Sequence, residues 1–235
     1  GGGYQGNDIE ILNATTTTVE EGALLIADGA EDDGGNVFLW ADGDTFFGGE
    51  ISAQAKGLNG NGGFVEVSGK DKLSFRGTVS TLSANGLNGT LLLDPTDVVI
   101  GTVGTAGITI SDLDLVSALV TNNVVVHTAS PGGDPGDITV LFGSSELEGY
   151  ASINTLSFFA HGDIVINDDI QNNGVGGVGG AITLFAGWDG TGAGGFGFDP
   201  DVPVAGDAAM NGGLPVNPTT ILDGDYGAWG TGGAG

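Results

Sequence analysis

The sequence predicts an all-β fold, a right-handed parallel β-helix with three short strands in each coil of about 27 residues and loop excursions between coils. Three observations lead there. Bursts of β-branched and aromatic residues recur at a near-constant spacing, glycine supplies 48 of 235 residues, and hydrophobic residues still make up 40% of the chain. Glycine without a three-residue period excludes collagen, and this hydrophobicity argues against disorder, which leaves many short strands joined by tight turns.

The first half carries the repeat most plainly. Gly34-Gly35-Asn36-Val37-Phe38-Leu39-Trp40, Gly62-Gly63-Phe64-Val65-Glu66-Val67 and Gly89-Thr90-Leu91-Leu92-Leu93 place Val37, Phe64 and Leu91 27 residues apart. Each burst has a follower, in Thr45-Phe46-Phe47, Lys72-Leu73-Ser74-Phe75 and Asp97-Val98-Val99-Ile100, and a third strand appears at Glu50–Ala53 and Gly77–Ser80. A single coil cannot bury its inward side chains. Coils stacked about 4.8 Å apart give each strand a hydrogen-bonded neighbour on both sides and align Val, Ile, Leu and Phe in columns. Glycine permits the corners and Asn or Asp tolerates them. About nine coils of roughly 25 residues would form a rod near 40 Å long. Phe38, Phe46, Phe64, Phe75, Phe142, Phe158 and Phe185 fall within strands and are expected in core columns.

Strands are expected further on at 107–110, 124–128, 137–142, 156–159, 163–167 and 181–185, so residues 1–187 read as solenoid. One segment breaks the rule. Ser111 to Val120 has Ser and Asp at its start and leucines at 115 and 119, which predicts a short helix over 112–120 lying on the solenoid flank. Residues 188–235 hold a glycine-rich run and two proline pairs, and read as a loop or a terminal excursion of the solenoid.

Charge narrows the function. Four Lys plus Arg against 30 Asp plus Glu give a net charge of −26, which repels phosphate backbones and acidic lipid surfaces, so no nucleic-acid partner is expected. The absence of cysteine removes disulfides, thiolate catalysis and cysteine-type zinc sites. No run approaches 18 apolar residues, and Gly1-Gly2-Gly3-Tyr4 has none of the features of a signal peptide, so an interior piece of a longer protein is expected.

The runs Gly2–Gly6, Thr15–Val19, Gly22–Asp28, Gly34–Asp42, Phe47–Ala53, Gly60–Gly69 and Gly89–Asp97 resemble the repeat region of filamentous-haemagglutinin-like exoproteins. The likeness is strong over residues 1–100, an outline over 101–187 and slight beyond. It implies a secreted bacterial cell-surface protein, exported by two-partner secretion through an outer-membrane barrel transporter and active in adhesion or biofilm. Its implied partners are host, neighbouring-cell or extracellular-matrix surfaces; glycans are a further target, suggested by the loop aromatics, and self-association is a further reading. The transporter-recognised secretion domain of that family is not visible in this sequence.

Candidate sites are few. Asp28, Asp32, Asp33, Asp42 and Asp44 could supply the several hard oxygens that calcium takes, yet neither an EF-hand loop nor a calcium-binding nonapeptide is present, and solvated corner residues are the plainer reading. Trp188, Phe196, Phe198, Tyr226 and Trp229 fall in loop-like sequence, where an aromatic can stack on a sugar or anchor a partner. Glycosidase or lyase chemistry needs carboxylates sharing a cleft with one pKa raised. Nearly all acids here sit at turns beside glycine, so no catalytic residue is expected. Lys70, Lys72 and Arg76 are expected to pair with Glu66 and Asp71, and neither His127 nor His161 has a histidine partner at ligand spacing.

Overall fold

A computed structural model, which describes residues 3–6, 8, 10–128 and 134–187 together with the backbone of 221–223, resolves the recurring bursts into stacked parallel strands. The chain forms a β-solenoid of about 6 turns, with about 28 residues per turn and little helix. The turns are fewer and longer than the predicted nine of 25. Strands β1 (Thr16–Val19) and β2 (Leu24–Ile26) open the stack, and β3 (Asn36–Ala41), β4 (Asp44–Phe47) and β5 (Glu50–Ser52) make the next coil. There follow β6 (Phe64–Gly69), β7 (Lys72–Phe75) and β8 (Thr78–Ser80), then β9 (Thr90–Leu93), β10 (Val98–Gly101), β11 (Ile110–Ser111) and helix α1 (Asp112–Ala118). The later coils hold β12 (Asn123–His127), β13 (Ile138–Val140) and β14 (Glu148–Tyr150), then β15 (Leu156–Phe159), β16 (Ile164–Ile166) and β17 (Gln171–Asn172), and finally β18 (Ile182–Ala186) and β19 (Ile221–Asp223).

Three faces result. The first is a seven-stranded sheet in the order β1-β4-β7-β11-β10-β13-β16, and the second a seven-stranded sheet in the order β3-β6-β9-β12-β15-β18-β19. The third face starts as β2-β5-β8 and ends as β14-β17. Helix α1 stands between those two parts, against β8 on one side and the turn before β14 on the other. It therefore replaces a strand of the third face: Leu115, Ala118 and Leu119 belong to the main core. Ser111 caps the helix, its hydroxyl accepting from Asp114 N at 3.0 Å.

Register decides which side chains meet. On the second sheet Val37, Val65, Leu91, Val124, Leu156 and Ile182 form one rung, and Leu39, Val67, Leu93, Val126, Phe158 and Leu184 another. Both line the dry interior. On the first sheet Val19, Phe47 and Phe75 stack inward, with the Phe47 and Phe75 rings 5.4 Å apart.

The uniform spacing of 27 misleads at one place. Val37 pairs with Val65 rather than Phe64, and Phe64 pairs with Asn36 and Thr90. Because side chains alternate between faces, this one-residue shift turns Phe64 outward. Phe38, Phe64 and Phe185 belong to a second cluster outside the solenoid, with Leu92, Val125 and Phe159. Only Phe75 and Phe158 of the seven expected core aromatics line the lumen; Phe46 is 40% and Phe142 82% exposed.

The glycine pairs have a packing cause. A Cβ on Gly34 would lie 2.2 Å from Ala53 O, and one on Gly62 would lie 1.7 Å from Thr81 O. The corner entering each second-sheet strand passes against the backbone leaving the third face, and no side chain fits between. Strand β19 carries the second sheet past the residue-187 boundary, since Leu184, Phe185 and Ala186 pair with Ile221, Leu222 and Asp223. Among the described residues no helix is long and apolar enough to cross a membrane.

Candidate functional site

The aspartates singled out for calcium do not converge. Among the described residues no group of three or more His, Cys, Asp or Glu side chains is placed to hold a metal ion. Asp28 accepts from Ser52 Oγ at 2.6 Å and Gln54 N at 2.8 Å, and pairs with Lys56 Nζ at 2.6 Å. Burial alone would raise its carboxyl, but the Lys56, Ser52 and Gln54 donors outweigh that and hold it below the ordinary value. Asp33 accepts from Asn61 N at 2.7 Å, and Asp42 from Asn13 Nδ2 at 3.1 Å and Trp40 Nε1 at 3.2 Å. Asp44 lies beside Lys72 in the ladder, and Asp32 is exposed at the corner next to Asp33.

A shared geometry explains several of these acids. Asp28, Asp33, Asp97 and Asp137 each accept a backbone N–H from the following coil, those of Gln54, Asn61, Asp137 and Asp163, at 2.7 to 2.8 Å. A corner breaks the strand ladder and orphans amides, and the short carboxylate reaches the one above. These aspartates are clamps between coils.

The expected contact aromatics Trp188, Phe196, Phe198, Tyr226 and Trp229 lie outside the described residues. So does Gly2 at the start of the likeness.

The cationic residues pair otherwise than expected. Arg76 reaches Asp114 on α1 at 3.4 Å, and Lys56 pairs with Asp28, while Glu66 is wholly buried and bonded elsewhere. Glu66 is also the exception to the rule that acids sit at turns. It projects from the middle of β6 on the outer side of the second sheet and is 0% exposed.

Around it lies an unusual cluster of buried ionisable groups. Asp94 and His127 are each 5% exposed, and their Oδ1 and Nδ1 lie 2.8 Å apart. The tight turn Tyr4–Gly6 covers the neighbouring end of this face. Gln5 N donates to Glu66 Oε2 at 2.9 Å, and Gln5 Nε2 donates to Asp94 Oδ2 at 3.2 Å. Tyr4 meets Phe64 and Phe38 edge-on, with ring centroids 5.8 and 6.4 Å away. Gly6 sits so close to the Trp40 indole that a Cβ would come within 2.3 Å of Nε1, and its carbonyl accepts from Asn13 Nδ2 at 3.0 Å.

The chemistry of the cluster follows from its dryness. Burial raises the Glu66 carboxyl to about 8, with the Asp94 charge adding to the rise and the Gln5 amide opposing it. Oε1 of Glu66 has no hydrogen-bond partner. Ser68, Asp94 and His127 project from adjacent strands, one place beyond the Val67-Leu93-Val126 rung, so Asp94 stands between the serine and the histidine. A nucleophile relay requires the histidine against the hydroxyl. As folded, the cluster docks the Tyr4–Gly6 turn on the sheet. Sequence spacing could not find it, because the five groups come from residues 5 to 127; a glutamate inside a β-branched run was the available signal.

No known family model matches the chain, and no curated protein matches it.

Proposed function

We propose that the chain is a structural and adhesive module of a large secreted bacterial surface exoprotein, mediating attachment to a host, neighbouring-cell or matrix surface. The observation that carries this reading is the unbroken interior of the solenoid. Its inward rungs run through successive coils without a polar break on the second sheet, which makes a stiff spacer able to hold a contact region away from a cell. The net charge of −26 keeps such a spacer solvated and discourages collapse onto acidic surfaces. The resemblance of residues 1–100 to filamentous-haemagglutinin-like repeats adds export through an outer-membrane barrel transporter. Aromatics at 188, 196, 198, 226 and 229 are the contact residues of this reading, with glycans as one class of target.

Binding of the purified chain to epithelial cells, to other bacteria and to immobilised glycans tests it. Saturable binding that falls at least tenfold in the Trp188→Ala, Trp229→Ala double variant is the expected result. Absence of binding to every surface overturns it.

The second reading, a self-associating filament or sheath, draws on the N-terminal end of the stack. There Leu25, Val37 and Leu39 are only partly buried, and β1 and β2 are edge strands of their sheets. Ordered filaments of the purified chain in electron micrographs, without surface binding, would favour it. Release of reducing or unsaturated sugars from polysaccharide would promote a carbohydrate-active enzyme over both.

A further inference from the structure

Five Asn-Gly pairs lie among the described residues, at 59–60, 61–62, 85–86, 88–89 and 173–174. Asn followed by Gly is the pair most prone to internal imide formation, since glycine has no side chain to shield its amide nitrogen, and asparagine is a thermolabile residue. Reaction needs two freedoms. The asparagine carboxamide must be able to swing back to the main chain, and the following glycine nitrogen must be free to lose its proton and attack.

The fold removes at least one of those freedoms at four of the five pairs. Asn61 Oδ1 accepts from Leu87 N at 3.0 Å, and Gly62 N donates to Leu87 O at 2.8 Å. The Asn88 carboxamide is held by Ser83 N at 3.0 Å and Asn154 Oδ1 at 2.9 Å, and Gly89 N donates to Thr81 O at 2.8 Å. Asn173 is held by Gly149 O at 2.9 Å and Gln171 Nε2 at 2.7 Å, and Gly174 N donates to Asn172 Oδ1 at 3.0 Å. At Asn85 the side chain is exposed and unbonded, but Gly86 N donates to Ser83 Oγ at 2.6 Å.

Asn59 differs. Its side chain is exposed, and neither its carboxamide nor the Gly60 nitrogen has a hydrogen-bond partner. We infer that Asn59-Gly60 is a spontaneous modification site of the folded protein, converting to aspartyl and isoaspartyl forms ahead of every other Asn-Gly pair described. The Gly60 nitrogen bonds to Asn59 Cγ and ammonia leaves, giving a five-membered imide. Water then adds to either imide carbonyl and opens the ring, so the net change is amide plus water to carboxylate plus ammonium, with no oxidation or reduction.

The site matters to the solenoid because of what it adjoins. Gly60 passes so close to the preceding coil that a Cβ would lie 2.4 Å from Asp32 C and 2.7 Å from Asp33 N. The opened product places a new negative charge beside Asp32 and Asp33, and its isoaspartyl form lengthens the main chain by one carbon next to the Asp33 clamp on Asn61 N. Age would thus loosen one corner of an otherwise regular stack.

The cleavage pattern supplies its own controls. Trypsin releases residues 57–70 as one peptide holding Asn59 and Asn61, and trypsin with cleavage before Asp94 releases residues 77–93 with Asn85 and Asn88. The full chain is incubated at mildly alkaline pH, folded or in concentrated urea, and the amide-to-acid mass gain at each asparagine is followed. Folded protein should convert Asn59 on the order of tenfold faster than Asn61 or Asn88, since those must first break two and three hydrogen bonds respectively, and urea should erase the difference. Asn59→Gln should abolish the fast phase and leave the slow sites unchanged. Equal rates at Asn59 and Asn61 in the folded chain, or an Asn59 that converts only in urea, would overturn the assignment.

Discussion

The two sides of the second sheet are both buried, yet they obey different rules. The lumen side admits only Val, Leu, Ile and Phe along its two rungs. The outer side of the same strands carries Phe38, Glu66, Leu92, Val125 and Ser157 on one rung, and Trp40, Ser68, Asp94, His127 and Phe159 near the next. The difference lies in what can reach each side. Along these two rungs the strand amides are bonded to the neighbouring strands, so a carboxylate placed there would find no donor. At its β3–β6 end the outer side is covered by the Tyr4–Gly6 turn, and that segment brings donors of its own, the Gln5 amides.

The most severe way to break the comparison is to place a carboxylate in the lumen. Val65 is 0% exposed and next in sequence to Glu66, which points the other way. Val65→Asp should cost more than about 4 kcal/mol, because no donor is at hand. Loss of the cooperative unfolding transition in circular dichroism is the expected result, while Glu66→Asp in the same assay should leave the fold intact.

Leu91 and Leu92 give a finer comparison with identical chemistry. Leu91 points into the main core and is 0% exposed, and Leu92 joins the outer cluster at 1%. Leu91→Ala should cost about 3 to 5 kcal/mol and Leu92→Ala about 2 to 3 kcal/mol, since the outer covering can collapse into a cavity more easily than a stacked column. Equal losses in urea denaturation would show the outer cluster to be as rigid as the lumen.

The inner rule was legible in the sequence and the outer one was not. Bursts such as Val65-Glu66-Val67 announce a strand, and the recurring glycine pairs announce the corner before it. Equal spacing then proposed the stack Val37, Phe64 and Leu91, whereas the pairs Val37–Val65 and Val65–Leu91 are 28 and 26 residues apart. One coil is a residue longer and the next a residue shorter, and only a face assignment could reveal it. Helix α1 was visible from its cap and leucines, but not that it would stand in place of a strand, since that depends on β8 and the turn before β14. The aspartate clamps were equally hidden. Asp97, Asp137 and Asp163 read as the first residues of separate strands until register stacks them. Glu66 reads as solvated beside Lys70 and Lys72, and the donor that holds it comes from residue 5.

Glu66 also makes the outer side sensitive to pH. Its folded carboxyl sits at about 8, above the 4.5 of a free glutamate. A raised acid favours the folded state fully below about 4.5, and that advantage shrinks as pH climbs and is gone once pH has passed about 8. Stability should therefore fall by on the order of 1 kcal/mol between pH 6 and pH 7 from this group. Glu66→Gln should flatten that slope in parallel urea titrations. An unchanged slope would mean that Glu66 keeps its charge and that the Tyr4–Gly6 turn lets water in.

The smallest effect separates the clamp role of a corner aspartate from a cation role. Asp33 offers Oδ1 to Asn61 N, and an asparagine offers a carbonyl of the same shape in the same place. Asp33→Asn should leave stability within about 0.5 kcal/mol of the parent, because the acceptor survives and a negative charge leaves an acidic surface. Asp33→Ala should cost about 1 kcal/mol, the worth of one hydrogen bond whose amide must otherwise find water. Added calcium should change neither difference if the carboxylate serves only the backbone. A calcium-dependent gain in the parent that Asp33→Asn abolishes would instead show that charge, and not the position of one oxygen, is what this corner uses.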